Sequence, residues 1–251
     1  MCGSAALRRT PGDPRRPVQA PFIGCFSSGI LGLLPGVLRA PAGRLPGVRV
    51  DVVEAEPPDL FTALDAGQVD VAPAVDFARA PPHTDDRYDR VDLFTDVLDL
   101  VVPAGHRLVG RGPVALRAPA RDAWIVGAAH GRCGAVARSV CAAAGFTPDV
   151  RHAVNDRGAP AALVEAGRRV ALIPRLVRPS YARRRVAVLE TEGEPASRNV
   201  FAAVRTGAEA VLAAVRDQLL LSGAESITRR PPRTPPPAVP AAAGSPATPP
   251  P

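Results

Sequence analysis

Apolar and polar positions alternate in short blocks along the middle of the chain. Pro21–Phe26 is an apolar run that stops at Ser27-Ser28-Gly29, and the spacing from Ile30 to Leu38 predicts a helix. Val48–Glu54 alternates and is β-branched, which predicts a strand. Pro57-Pro58-Asp59 then opens a helix through Leu60, Phe61 and Leu64, closed by Gly67. Val69–Phe77 reads as another strand, with Pro73 inside it. Two further strands follow at Val91–Phe94 and Asp99–Pro103, with a bend expected near Asp96. The pattern then repeats. Trp124–Gly127 is a strand, a helix follows with Val136, Val140 and Cys141 on one face, and Asp149–Ala153 is a strand. A helix over 159–166 stops at Gly167, Val170–Ile173 is a buried type of strand, and Val186–Leu189 and Asn199–Arg205 are two more. An amphipathic helix from about 208 to 221 closes the series. Strands separated by helices at these lengths imply parallel sheets with both faces covered.

Composition changes this picture mainly at the ends. The chain has 251 residues, a net charge of +7 and 30 prolines, and all 31 of its basic residues are arginine. Without a lysine amine it cannot be a P-loop hydrolase, a pyridoxal-phosphate enzyme or a Schiff-base aldolase. Residues 1–21 hold four arginines against one aspartate, and residues 229–251 hold three arginines, no acid and ten prolines. Both ends therefore read as unfolded segments, 1–17 and 223–251, because they cannot bury enough apolar surface to offset ordering entropy. The body between them is nearly neutral and gives no footprint for nucleic acid. No run approaches the ~18 apolar residues of a membrane span, and no signal-peptide core precedes Arg8. A cytoplasmic protein is expected. Its four cysteines, Cys2, Cys25, Cys133 and Cys141, form no CxxC pair and read as reduced thiols.

Candidate chemistry lies where strands meet helices. Ser27-Ser28-Gly29 could hold a carboxylate on free backbone N–H groups and serine hydroxyls, or be a plain helix cap. Gly127-Ala128-Ala129-His130-Gly131-Arg132-Cys133-Gly134 is a second small-residue loop ahead of a helix, in which Arg132 could pair with an acid. Asn155-Asp156 could turn polar groups toward a ligand or form an Asx turn. Phe77 and Phe201 could line a cleft or fill the core. There is no GxSxG elbow, no HExxH and no Cys/His pair with an orienting carboxylate, so neither an enzyme nor a metal site is expected, and no cofactor.

Six stretches taken together carry a family resemblance. They are Leu45-Pro46-Gly47-Val48-Arg49-Val50, Leu64-Asp65-Ala66-Gly67-Gln68-Val69-Asp70-Val71-Ala72 and Leu100-Val101-Val102-Pro103-Ala104-Gly105-His106-Arg107-Leu108 with Trp124-Ile125-Val126. Cys141-Ala142-Ala143-Ala144-Gly145-Phe146-Thr147-Pro148 and Leu163-Val164-Glu165-Ala166-Gly167, leading to Val170-Ala171-Leu172-Ile173-Pro174, complete the set. From about residue 22 to 221 the body resembles the effector-binding domain of LysR-type transcriptional regulators. The resemblance implies an α/β, two-lobed type II periplasmic-binding-protein-like fold with mixed, mostly parallel sheets and helices on both faces. Lobe I would be 18–98 plus 204–222 and lobe II 99–203, joined by crossings near Leu98–Pro103 and Asn199–Arg205. A small anionic effector, a carboxylate, would sit between the lobes. Ser27, Ser28, Gly29, Phe77, Val102, Pro103, Gly127, Ala128, Arg132, Cys133, Asn155, Asp156 and Phe201 would surround it. The family also implies a homodimer, or pairing with a full-length regulator. Only about twenty residues precede the first strand, too few for a winged helix-turn-helix, so sequence-specific DNA binding by this chain alone is not expected. Pro41-Ala42-Gly43, Pro73 and Arg168-Arg169 depart from the family pattern. Two alternatives stay open, a solute-binding component of a transporter and a truncated, non-functional remnant.

Overall fold

A computed structural model describes residues 20–40, 44–45, 48–76, 80–127, 132–156 and 158–228. Among the described residues eight strands form one continuous hydrogen-bonded path in the order β2-β1-β3-β9-β4-β7-β5-β6, and a ninth, β8, pairs with β4 off that path. The first half of the path holds β1 (Phe22–Cys25), β2 (Asp51–Glu54) and β3 (Val71–Val75). These three pair in parallel, as strands joined by helical crossovers do. The second half holds β5 (Ala123–Val126), β6 (Asp149–Ala153) and β7 (Arg169–Pro174), again parallel. Between them run β4 (Tyr88–Pro103) and β9 (Ser197–Arg205), antiparallel to each other and to their neighbours. Strand β8 (Val186–Leu189) runs antiparallel beside the far end of β4.

The strand β4 makes the division. Nine of its first ten residues pair with β9 in the first sheet, Leu93 being left out where the register shifts, and Leu98–Val101 pair with β7 in the second. The bend expected at Asp96 is absent, and the two expected strands are one strand of 16 residues. The reason is in the register: Asp96 faces Arg198 across the ladder, so its charge is met inside the sheet and need not turn out to water. The second crossing also differs from expectation. All of β9 from Val200 to Val204 pairs with β3, so residues 197–203 belong to the first sheet and not to a second lobe ending at 203.

Each sheet buries apolar side chains on both faces. On the first, Ile23, Phe26, Leu33, Leu34, Val204 and Leu219 form one core, and Leu60, Phe61, Leu64, Tyr88 and Phe201 the other. On the second, Leu100, Val102, Trp124, Cys141 and Val170 pack on one face, with Val101, Ile125, Val164, Ile173 and Tyr181 on the opposite face. The helix expected over Ile30–Leu38 is two short ones, α1 (Ser27–Gly32) and α2 (Leu34–Leu38). Pro35 explains the break, since it falls in the first turn of α2, where its missing N–H has no helical partner to lose. Helix α3 (Asp59–Asp65) ends at Gly67, whose φ of +68° lies in the left-handed region. Pro73 sits buried in β3 opposite Ala202, and the β1–β3 ladder is recorded only at Ile23–Val71, so the proline lies beyond that ladder. Helices α4 (Arg132–Ala143) and α5 (Ala159–Ala166) cover the second sheet. A 3₁₀ turn at Arg175–Val177 and α6 (Arg178–Tyr181) follow β7, and no sequence signal marked them. Helix α7 (Ala210–Thr228) runs past the expected start of the tail at 223. Packing holds its last turns, because Gly223 lies against the Phe94 ring and the Ser226 hydroxyl donates to Gly32 O at 2.7 Å.

Candidate functional site

The carboxyl end of β1 and the amino end of α1 meet the β4–β9 crossing. The Ser27 N–H donates to Glu56 Oε1 at 3.3 Å, so a carboxylate from the chain itself already sits on this helix end. Ser28 is buried, and its hydroxyl accepts from Arg198 Nη2 at 2.8 Å. Arg198 also gives Nε and Nη2 to Asp96 Oδ2, at 3.0 and 2.8 Å. Its guanidinium carbon lies 5.6 Å from the centre of the Phe26 ring, within cation–π range. Asp96 is fully buried, and its second oxygen accepts the Leu176 N–H at 2.9 Å. Burial pushes the Asp96 carboxyl above its ordinary range, and the Arg198 charge and hydrogen bonds pull the other way.

Three residues further along β4, Asp99 holds two more arginines. Its Oδ1 accepts from Arg175 Nη2 at 2.8 Å and its Oδ2 from Arg178 Nη2 at 2.6 Å, each arginine adding an Nε contact. Such two-pronged pairs fix orientation as well as charge. The hydrogen bonds to Asp99 hold the Arg175 guanidinium even more firmly protonated. The crossing thus gathers two buried carboxylates and three arginines from β4, β9 and the 3₁₀ turn with α6.

The expected residues distribute unevenly over this geometry. Ser27 and Ser28 lie at the crossing, and Gly29 is buried against Cys25 and Phe26. Val102 is fully buried in the second sheet's core, and Pro103 is half-buried at the end of β4. Phe201 is not a cleft wall. It is fully buried on the first sheet, stacked 6.0 Å from Phe61, with the Arg90 guanidinium 3.7 Å over its ring. Its partner across the ladder is Asp92, well before the crossing. Asp156 is exposed, and its Oδ1 accepts from the Gly158 and Ala159 N–H groups at 2.7 Å each, which caps the entry to α5. Asn155 beside it is exposed. Gly127 follows β5 and is half-buried. Phe77 and Ala128 lie outside the described residues, and Arg132 and Cys133 are described only as the backbone start of α4.

Sequence reasoning missed Glu56, Asp96 as an ion-pair partner, Asp99, Arg175, Arg178 and Arg198. Asp96 and Asp99 carried one signal, since charged residues inside an otherwise apolar strand need a partner. The Cys25 thiol is fully buried, and burial, with the Glu56 and Glu54 charges adding, raises its pKa well above the ordinary value, so it stays a thiol. Among the described residues no group of three His, Cys, Asp or Glu side chains could hold a metal ion, and no helix is long and apolar enough to cross a membrane.

Fold and site together define a two-lobed domain of helix-covered α/β sheets joined by crossing strands. Residues 22–221 match the family model of the LysR substrate binding domain, and the chain belongs to that family. Among solved structures it is similar to the C-terminal domain of a probable LysR family transcriptional regulator from Rhodococcus sp. RHA1. That match has 28% identity and a TM-score of 0.67, covering 80% of this chain and 98% of that one. It also shares its fold with the BenM effector binding domain with its effector benzoate (18% identity, TM-score 0.69, 84% of this chain and 96% of that one). The effector binding domain of QuiR in complex with shikimate shares it too (15% identity, TM-score 0.67, 82% and 97%). None of the curated proteins matches the sequence.

Proposed function

We propose that this chain is a non-enzymatic, cytoplasmic sensor that binds a small carboxylate between its two lobes, beside the amino end of α1. One observation carries the reading. The Ser27 N–H already holds the Glu56 carboxylate, and Arg198 stands against the neighbouring Ser28. The site therefore has the donors a carboxylate needs, with an internal carboxylate on one of them. The ligands of the two similar effector domains, benzoate and shikimate, are both carboxylates, which supports the same class here. Effector binding would act by favouring one arrangement of this domain relative to the other domains of a regulator over another. It can do so only by as much as its affinities for the two arrangements differ. A homodimer, or a pair with a full-length regulator, is the assembly this reading expects.

The test is a thermal melt of the full chain with benzoate, shikimate and other small carboxylates, each beside its neutral amide. A carboxylate present at ~100 times its dissociation constant should add ~2.7 kcal/mol and raise the midpoint by a few degrees. The amides should not. A neutral compound that raises the midpoint while no carboxylate does would overturn the carboxylate reading.

A further inference from the structure

The geometry points to a clasp, formed by the 3₁₀ turn Arg175–Val177 and the first residue of α6, that fixes the two halves of this domain against each other before any ligand arrives. The inference does not depend on the effector reading. Leu176 is fully buried in the core of the first sheet, with Ile23, Phe26, Leu33 and Leu34. Val177, the next residue, is fully buried in the core of the second, with Val101, Ile125, Val164 and Tyr181. A single peptide bond therefore joins the two cores. The turn leaves β7, a strand of the second sheet, so Leu176 is a side chain lent by one half to the other.

Three polar contacts hold the turn in that position. The Leu176 N–H is taken by buried Asp96, on the crossing strand. Asp96 is in turn bound to Arg198, which reaches Ser28 on α1. On either side of the two core residues, Arg175 and Arg178 each grip one oxygen of Asp99. Helix α1 is shaped for the contact as well. A Cβ at Gly32 would come within 2.0 Å of Leu176 O, so only glycine lets the helix approach the turn. Opening the halves about the crossing strands would pull Leu176 out of an apolar core and strip the buried Asp96 of its backbone donor. Each step is unfavourable by itself, and the turn requires them together.

The test is a distance measurement across the halves. The full chain carries spin labels on Thr62→Cys in α3 and Arg151→Cys in β6, both exposed positions, with Cys2→Ser and Cys133→Ser; Cys25 and Cys141 are buried. The unaltered clasp should give one narrow distance, and Leu176→Ala should lose that single peak for a broad distribution. Leu219→Ala removes the same volume from the same core but lies on α7, outside the turn, and should keep the narrow peak. A folded Leu176→Ala protein that keeps the narrow distance overturns the clasp, as does equal broadening in Leu219→Ala. Should Leu176→Ala not fold, the Arg175→Gln/Arg178→Gln variant decides, since it leaves both cores intact. Broadening there supports the clasp, and an unchanged narrow distance overturns it.

Discussion

At the scale of single residues, the charges inside the sheet decide most. Asp96 would be costly in a buried strand by itself. It is tolerated because Arg198 lies opposite it in the ladder and the Leu176 N–H completes its shell. Removing one partner of such a pair is worse than removing both, since the other charge is left buried and unpaired. Asp96→Ala should therefore destabilise the domain by about 3–5 kcal/mol. Replacing Asp96 and Arg198 together by apolar residues should cost less than Asp96→Ala alone. Urea denaturation of both variants checks the order, and a double variant weaker than Asp96→Ala would refute it. Asp156 shows the reverse case, where a residue with plausible ligand chemistry spends its carboxylate on the N–H groups of Gly158 and Ala159 at the entry to α5.

At the scale of elements, local rules were legible wherever the chain itself supplied the terminator. Gly67 closes α3 as its sequence position suggested, with a left-handed backbone that a Cβ opposes. Arg205 on β9 adds a cap from outside the element, donating to Leu64 O at 2.6 Å and Val69 O at 3.1 Å. Gly67→Ala should cost about 1–2 kcal/mol through the left-handed backbone alone, measured by thermal or urea unfolding. A neutral effect would show that the turn relaxes. The 3₁₀ turn with α6 was not legible, because Arg-Leu-Val-Arg-Pro-Ser-Tyr carries no periodicity long enough to mark an element. The continuity of β4 was hidden for a related reason. Its charged residues look like an interruption until the partner strand, some 100 residues away in the chain, is known.

At the scale of the whole molecule, the two halves have separate cores and would be free to unfold separately if only the crossing strands joined them. The single tryptophan, Trp124, is fully buried in the second half and reports on that half alone, whereas far-ultraviolet circular dichroism reports on both. With Leu176 and Val177 planted in opposite cores, the two signals should give one coincident urea transition. They should separate in Arg175→Gln/Arg178→Gln. Distinct transitions in the unaltered protein would mean that the halves are energetically independent.

The sequence by itself determined the α/β class and nearly every strand, because periodicity, β-branching and terminating glycines act over a few residues at a time, while the two-lobed arrangement was implied only by the family resemblance. It also placed Ser27 and Ser28 at a strand-to-helix junction, which is a local feature, but only the tertiary structure brought that junction against Arg198 at the crossing. Only the tertiary structure decided which charges meet. Asp96 with Arg198, and Asp99 with Arg175 and Arg178, are pairs between residues some 76 to 102 positions apart. It alone sent Phe201 into a core and split Leu176 from Val177 between two. Such pairings depend on which strands become neighbours. That is settled by how the sheets stack and cross, and no short stretch of sequence contains it.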